Sequence, residues 1–176
     1  NCNFEGCESS GSGGSVYINQ QNIDFIKSKI TNSTFKENNG RMGGAIYVTV
    51  RCSIIENCHF IDNNATTKAN DIYLLNPRFG GGISDDVEPV DSDEKIYDIK
   101  NNEFVLSSVE QSQIMIYIDV IYPLNGYNFE YNQITINDAN KESSNIYVFD
   151  YFFNNQIKEH PMIHKNNIIS PCNESI

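Results

Sequence analysis

The feature that most constrains this chain is a spacing that returns. Residues 30–38 read ITNSTFKEN and residues 55–63 read IENCHFIDN. Ile30, Asn32, Phe35 and Asn38 thus recur as Ile55, Asn57, Phe60 and Asn63. Ile99, Asn101 and Phe104 repeat the frame again, with Ser107 where the last asparagine stood. Phe4 fits it at the start, and Phe129 with Asn132 is a weaker copy. The phenylalanines are 31, 25, 44 and 25 residues apart. A second element trails each copy: Gly13-Gly14-Ser15-Val16-Tyr17, Gly43-Gly44-Ala45-Ile46-Tyr47, Asn70-Asp71-Ile72-Tyr73, Ile116-Tyr117 and Ile146-Tyr147.

Self-similarity on this scale signals a stacked repeat, because a single short unit cannot bury its own apolar face. Helical repeats are disfavoured. The chain shows no sustained apolar stripe at helical spacing, β-branched and aromatic residues dominate the periodic segments, and a glycine pair sits in mid-element. The pattern predicts an all-β chain, a parallel β-helix that becomes irregular toward its C-terminal half. Each coil is expected to hold about three short strands: residues 30–35, the Gly-Gly-Ala-Ile-Tyr segment, and a third such as Ile23-Asp24-Phe25-Ile26.

Equivalent residues of neighbouring coils lie about 4.8 Å apart, the strand spacing of any sheet. Phe4, Phe35, Phe60 and Phe104 are therefore predicted to form one internal column, with Val16, Ile46 and Ile72 in another. Asn38 and Asn63 are predicted at a turn, where asparagine tolerates left-handed backbone and its amide can bond the equivalent residue above and below. The glycine pair implies either a turn with positive φ or a strip where backbones pack closely. Tyr17, Tyr47, Tyr73, Tyr117 and Tyr147 each follow an inward Ile or Val, so alternation predicts an outward, exposed tyrosine ladder. It could bind sugars or a partner sheet, or serve only as cross-strand stacking.

The quoted motifs, Phe-x-x-Asn followed by Gly-Gly-Ala-Ile, resemble the repeat of the polymorphic outer-membrane proteins. The fullest copy is Phe35-Lys36-Glu37-Asn38 with Gly43-Gly44-Ala45-Ile46. Phe60 to Asn63 keeps the first half and lacks the glycines, and Phe4 keeps Gly13-Gly14 but has Cys7 for asparagine. Recognisable copies cover residues 1–75, and decayed ones run to about residue 150. The resemblance implies a right-handed β-helix at a cell surface, used in adhesion or structure, and brings no catalytic residues.

Composition narrows the function. The 176 residues suffice for one domain with a core. A net charge of −11 disfavours nucleic acid and anionic membranes, which require basic surfaces. The most apolar stretch, residues 114–124, is interrupted by Asp119 and Pro123, so no membrane insertion is expected. A β-helix needs capped ends, and Phe4 belongs to a coil already under way. Residues 1–176 are thus expected to be one β-helix segment of a longer chain.

The three sequons at Asn32, Asn64 and Asn173 point to N-linked glycans and a secreted or surface location. Cys2, Cys7, Cys52, Cys58 and Cys172 match no zinc spacing. Cys2 and Cys58 occupy equivalent positions two coils apart, too far for a disulfide, with Ser33 between them. The insertion at residues 76–95 is acidic, and its Asp91, Asp93 and Glu94 are weak candidates for Ca²⁺ through oxygen ligands, although no EF-hand spacing is present. No other cofactor is implied.

Pectin lyases and polygalacturonases also use parallel β-helices. Asp85-Asp86 could form a catalytic pair, but arginines (Arg41, Arg51, Arg78) and histidines (His59, His160, His164) are sparse. The expected function is therefore non-enzymatic: an extracellular structural or adhesive rod, partnered by other subunits, copies of itself or surface glycans, and able to assemble into a filament. The alternative is a carbohydrate-active lyase or glycoside hydrolase.

Overall fold

The computed structural model describes residues 1–19, 27–49, 52–75, 97–107, 116–120, 127–136, 146–151, 157–160 and 168–171. These residues are all-β, without a helix, and their strands pair almost entirely in parallel.

The phenylalanine frame builds the first sheet. It stacks Asn3–Glu5, Thr34–Lys36, His59–Ile61, Glu103–Leu106, Gln133–Ile136 and Ile168–Pro171 in that order. Its register pairs Phe4 with Phe35, Phe35 with Phe60, and Phe60 with Phe104. The second sheet carries the tyrosines: Val16–Asn19, Ile46–Thr49, Ile72–Leu75, Ile116–Val120 and Ile146–Tyr151 are parallel, and Ile157–His160 closes the edge antiparallel. Here Val16, Ile46, Ile72, Ile116 and Ile146 are in register. The third sheet is Lys27–Thr31, Cys52–Glu56, Tyr97–Lys100 and Tyr127–Glu130. A short fourth pairs Asn39–Met42 with Asn64–Lys68. Strands far apart in sequence thus lie side by side in matching register from repeat to repeat, an arrangement compatible with a β-helix or solenoid.

The core is the set of inward residues of the three larger sheets. Phe35, Phe60 and Phe104 are fully buried with Ile46, Ile55, Ile72, Ile99 and Ile116, while Phe4, Val16, Ile18 and Ile30 are partly buried against them. The phenylalanine rings lie 5.0, 5.1 and 4.9 Å apart and within 10° of parallel. Flat rings on adjacent strands are brought to the sheet spacing by the backbone ladder itself, which leaves no void for a mismatched side chain.

Two details of the predicted frame differ. Residues 30–35 are not one strand: Asn32 has φ 51° and turns the chain, so Ile30 belongs to the third sheet and Phe35 to the first. Phe129 is not the fifth member of the phenylalanine register. It pairs with Ile99 in the third sheet, and Ile134 pairs with Phe104. Phe129-Glu130-Tyr131-Asn132 copies Ile99-Lys100-Asn101-Asn102, so a phenylalanine in an isoleucine position produced the false match. Its ring nonetheless reaches the end of the column, 6.4 Å from that of Phe104.

Three corners recur with left-handed backbone. One is Asn32, Asn57, Asn101 and Tyr131, at φ 51°, 54°, 54° and 56°. The next is Gly6, Glu37 and Asp62, at 62°, 53° and 49°. The third is Gly13, Gly43 and Ala69, at 70°, 66° and 59°. The glycine pair serves both roles the sequence left open. Gly43 supplies the positive φ, and at Gly44 a Cβ would overlap the carbonyl oxygens of Asn64 and Asn70 in the next repeat.

Candidate functional site

The polar groups of the interior are organised as ladders. At the corner after the phenylalanine, Asn38 and Asn63 are buried, and the left-handed residue is the one before each, Glu37 or Asp62. The asparagines therefore do not make the turn themselves; they bond it. The Oδ1 of Asn38 accepts from the Cys7 backbone N–H at 3.0 Å, and its Nδ2 donates to the Phe4 carbonyl at 3.1 Å and to Asn63 Oδ1 at 2.9 Å. Asn63 Oδ1 also accepts from the Asn38 backbone N–H at 3.0 Å, and Asn63 Nδ2 donates to the Phe35 carbonyl at 3.0 Å. Each amide thereby satisfies backbone groups that the bend removes from the strand ladder.

A second ladder was not recognised in the sequence. Asn102 and Asn132, two residues before Phe104 and Ile134, occupy the column of Cys2, Ser33 and Cys58. Asn102 Oδ1 accepts from the Cys58 backbone N–H at 2.9 Å, and Asn132 Oδ1 accepts from the Asn102 backbone N–H at 3.0 Å. Their Nδ2 groups donate to the carbonyls of Ile55 and Ile99, each at 3.0 Å. Ser33 does similar work with a hydroxyl, donating to the Thr31 carbonyl at 2.9 Å. The only sequence signal was Asn-Asn at 101–102, which concealed one turn residue and one ladder residue side by side.

Asp71 is the exceptional member of the interior. It shares a column with Ser15 and Ala45, at the base of the tyrosine strand, and is fully buried. Its Oδ1 accepts from Asn63 Nδ2 at 2.9 Å. Burial pushes its carboxyl up to about 7, against the opposing effect of the Asn63 bond, and the charge of Asp62 raises it further. A raised carboxyl in an open cleft would suggest a general acid, but this one is sealed from solvent.

The tyrosines stack as the spacing predicts, with ring centroids at 5.3, 5.1 and 4.8 Å from Tyr17 through Tyr47 and Tyr73 to Tyr117. They are not an exposed stripe. Tyr17 is 55% exposed, whereas Tyr47 is 8% and Tyr73 and Tyr117 are 6% exposed. The short fourth sheet covers them: Met42 packs on this cluster, and Lys68 lies over the Tyr117 ring at 4.5 Å while its Nζ donates to the Tyr117 hydroxyl at 3.3 Å. In the first repeat the residue before Gly13 is the small Ser12, where Met42 and Lys68 precede Gly43 and Ala69, and Tyr17 ends the stack. Tyr147 is in register with Tyr117.

On the outer face of the first sheet, His59 Nδ1 lies 2.7 Å from Glu103 Oε2, both exposed, and Lys36 Nζ lies 2.7 Å from Glu5 Oε1. The Lys36 bond holds the Glu5 carboxyl below its ordinary value. Cys2, Cys7 and Cys58 are free thiols; desolvation pushes the buried Cys58 thiol up. Among the described residues no group of three or more His, Cys, Asp or Glu is placed to hold a metal ion. The acidic insertion with Asp85, Asp86, Asp91, Asp93 and Glu94 lies outside the described residues, as do the third-strand candidate Ile23 to Ile26, Cys172 and the sequon at Asn173. Asn32 and Asn64 are both exposed, and Thr34, the third residue of the first sequon, is half-buried on the adjoining strand. Comparison with protein-family models, curated proteins and solved structures returned no match to this chain.

Proposed function

We propose that this chain is a right-handed parallel β-helix of the polymorphic outer-membrane protein type, which acts as a rigid structural or adhesive rod outside the cell. The observation that carries the reading is the pair of stacked aromatic columns with asparagine ladders beside them. Residues of chemical capacity are committed to the scaffold: Asn38, Asn63, Asn102 and Asn132 hold repeat on repeat, and Asp71 is bonded to Asn63 within its own repeat. Right-handedness follows from the strong steric preference of parallel crossovers. A surface location is supported by the exposed sequon asparagines, Asn32 and Asn64. Within the same reading, its partners are other subunits, copies of itself or surface glycans.

The test is twofold. Expressed through a eukaryotic secretory pathway, the chain should carry glycans at Asn32 and Asn64, each removed by Asn→Gln substitution and read by intact mass. Beads coated with the folded chain should adhere to glycan-bearing cell surfaces more than beads coated with a Phe60→Ala variant. Release of new reducing ends from pectin, xylan or glucan would instead establish the lyase or glycosidase alternative.

A further inference from the structure

One corner of the repeat places a bulky aromatic residue on left-handed backbone, where the other positive-φ positions hold Gly, Asn, Asp, Glu or Ala. Asn32, Asn57 and Asn101 fill the left-handed position with the side chain that best tolerates it, and the fourth repeat places Tyr131 there at φ 56°. A non-glycine, non-asparagine residue in this region carries local strain of about 1–2 kcal/mol. Burial could offset that, but Tyr131 is 54% exposed, and its ring stacks on no other aromatic among the described residues. Among the described residues the strain therefore brings no aromatic stacking in return.

The neighbours of Tyr131 are specific. In-register strands place Glu56, Lys100 and Glu130 in a row immediately before the corner, and His59, Glu103 and Gln133 in a row two residues after it. Between the rows run the exposed amides of Asn57 and Asn101 and then the phenol ring. Asn57 to Tyr131 spans two strand spacings, about 10 Å. This surface is made of amides, carboxylates, the Lys100 ammonium, the His59 imidazole and one phenol ring. It lacks the cluster of apolar anchors that the centre of a protein interface needs. Three glutamates against one lysine disfavour a polyanion, whether nucleic acid or uronate polymer. A ring flanked by hydrogen-bonding side chains at regular spacing matches the two faces of a pyranose, apolar on its C–H face and hydroxylated at its edge.

We propose that Tyr131, with Asn101 and Asn57, forms a binding site for a neutral polysaccharide, Tyr131 stacking on one sugar ring and the asparagine amides bonding the hydroxyls of its neighbours. The site rests on the adhesive reading and names its ligand class. Asn32, in the same column, lies one repeat beyond Asn57 and about three strand spacings from Tyr131.

The experiment uses the full chain and its Tyr131→Asn variant, with cellohexaose, chitohexaose and mannohexaose as probes in titration calorimetry and polygalacturonate as the anionic control. The wild type should bind at least one neutral hexasaccharide. Tyr131→Asn should weaken that binding at least tenfold while its thermal midpoint stays level or rises, because asparagine suits the corner. Asn101→Ala should weaken binding to a smaller degree. The proposal is overturned if none of the three neutral probes binds, if Tyr131→Asn binds as tightly as wild type, or if polygalacturonate binds in preference. If coated beads still adhere to cells after the Tyr131→Asn change, this site is wrong and the adhesive reading stands. If wild-type beads do not adhere at all, the reading itself fails.

Discussion

Asp71 shows how one residue can carry a pH dependence for the whole chain. Its carboxyl is held at about 7 when folded and returns toward 3.8 when the chain unfolds. Between those values the folded state keeps a proton that the unfolded state releases. Its contribution to stability is therefore greatest at low pH, falls as pH rises from about 4 to about 7, and is level above that, for a total of order 4 kcal/mol. Asp71→Asn keeps an oxygen for Asn63 Nδ2 and removes the titration. Urea denaturation at pH 5 and pH 8 should show a smaller difference for the variant than for wild type, and the variant should be the more stable at pH 8. Equal pH dependence in the two proteins would show that Asp71 is solvated. The glycines allow a second comparison. Gly44→Ala forces a Cβ onto two carbonyl oxygens of the next repeat, whereas at Gly6 the space around a Cβ is open and only the positive φ resists. Gly44→Ala should cost several kcal/mol or prevent folding, and Gly6→Asn about 1 kcal/mol or less, as measured by thermal denaturation.

At the scale of elements, the phenylalanine sheet owes its cohesion to rings that have a partner on both sides. Phe60 is stacked between Phe35 and Phe104, while Phe4 stacks on Phe35 alone and is only partly buried. Phe60→Ala should cost about 3–5 kcal/mol by opening a cavity in mid-column, and Phe4→Ala clearly less, since its end of the sheet can relax. Denaturant titration of both variants checks the order; equal losses would mean that the column does not behave as a stack. The tyrosine sheet teaches a related lesson. Alternation correctly placed its rings on the outer face, but a second layer, the short fourth sheet, covers that face, and a two-residue period cannot register a strand that folds back over it.

Over the whole molecule, contacts run between neighbouring repeats, so stability should be close to a sum of repeat and interface terms. Amide hydrogen exchange should be slowest in the central strands Thr34–Lys36, Ile46–Thr49 and His59–Ile61, and faster in Asn3–Glu5 and Val16–Asn19, which lie at sheet edges with one neighbour. Uniform protection from the first strand onward would contradict this. The sequence by itself determined the repeat, the phenylalanine column and the stacking of the tyrosines, because identical side chains at identical offsets can satisfy one another only when strands lie in register. Only the tertiary structure decided which asparagine turns the chain and which bonds its neighbour, since Asn101 and Asn102 are chemically the same and differ only in the φ that the corner imposes. It alone placed Phe129 against the isoleucine register, covered Tyr47 and Tyr73, and buried Asp71 where the other repeats have Ser15 and Ala45. Those outcomes depend on what the adjacent repeat presents, and a linear pattern contains no record of its neighbour in space.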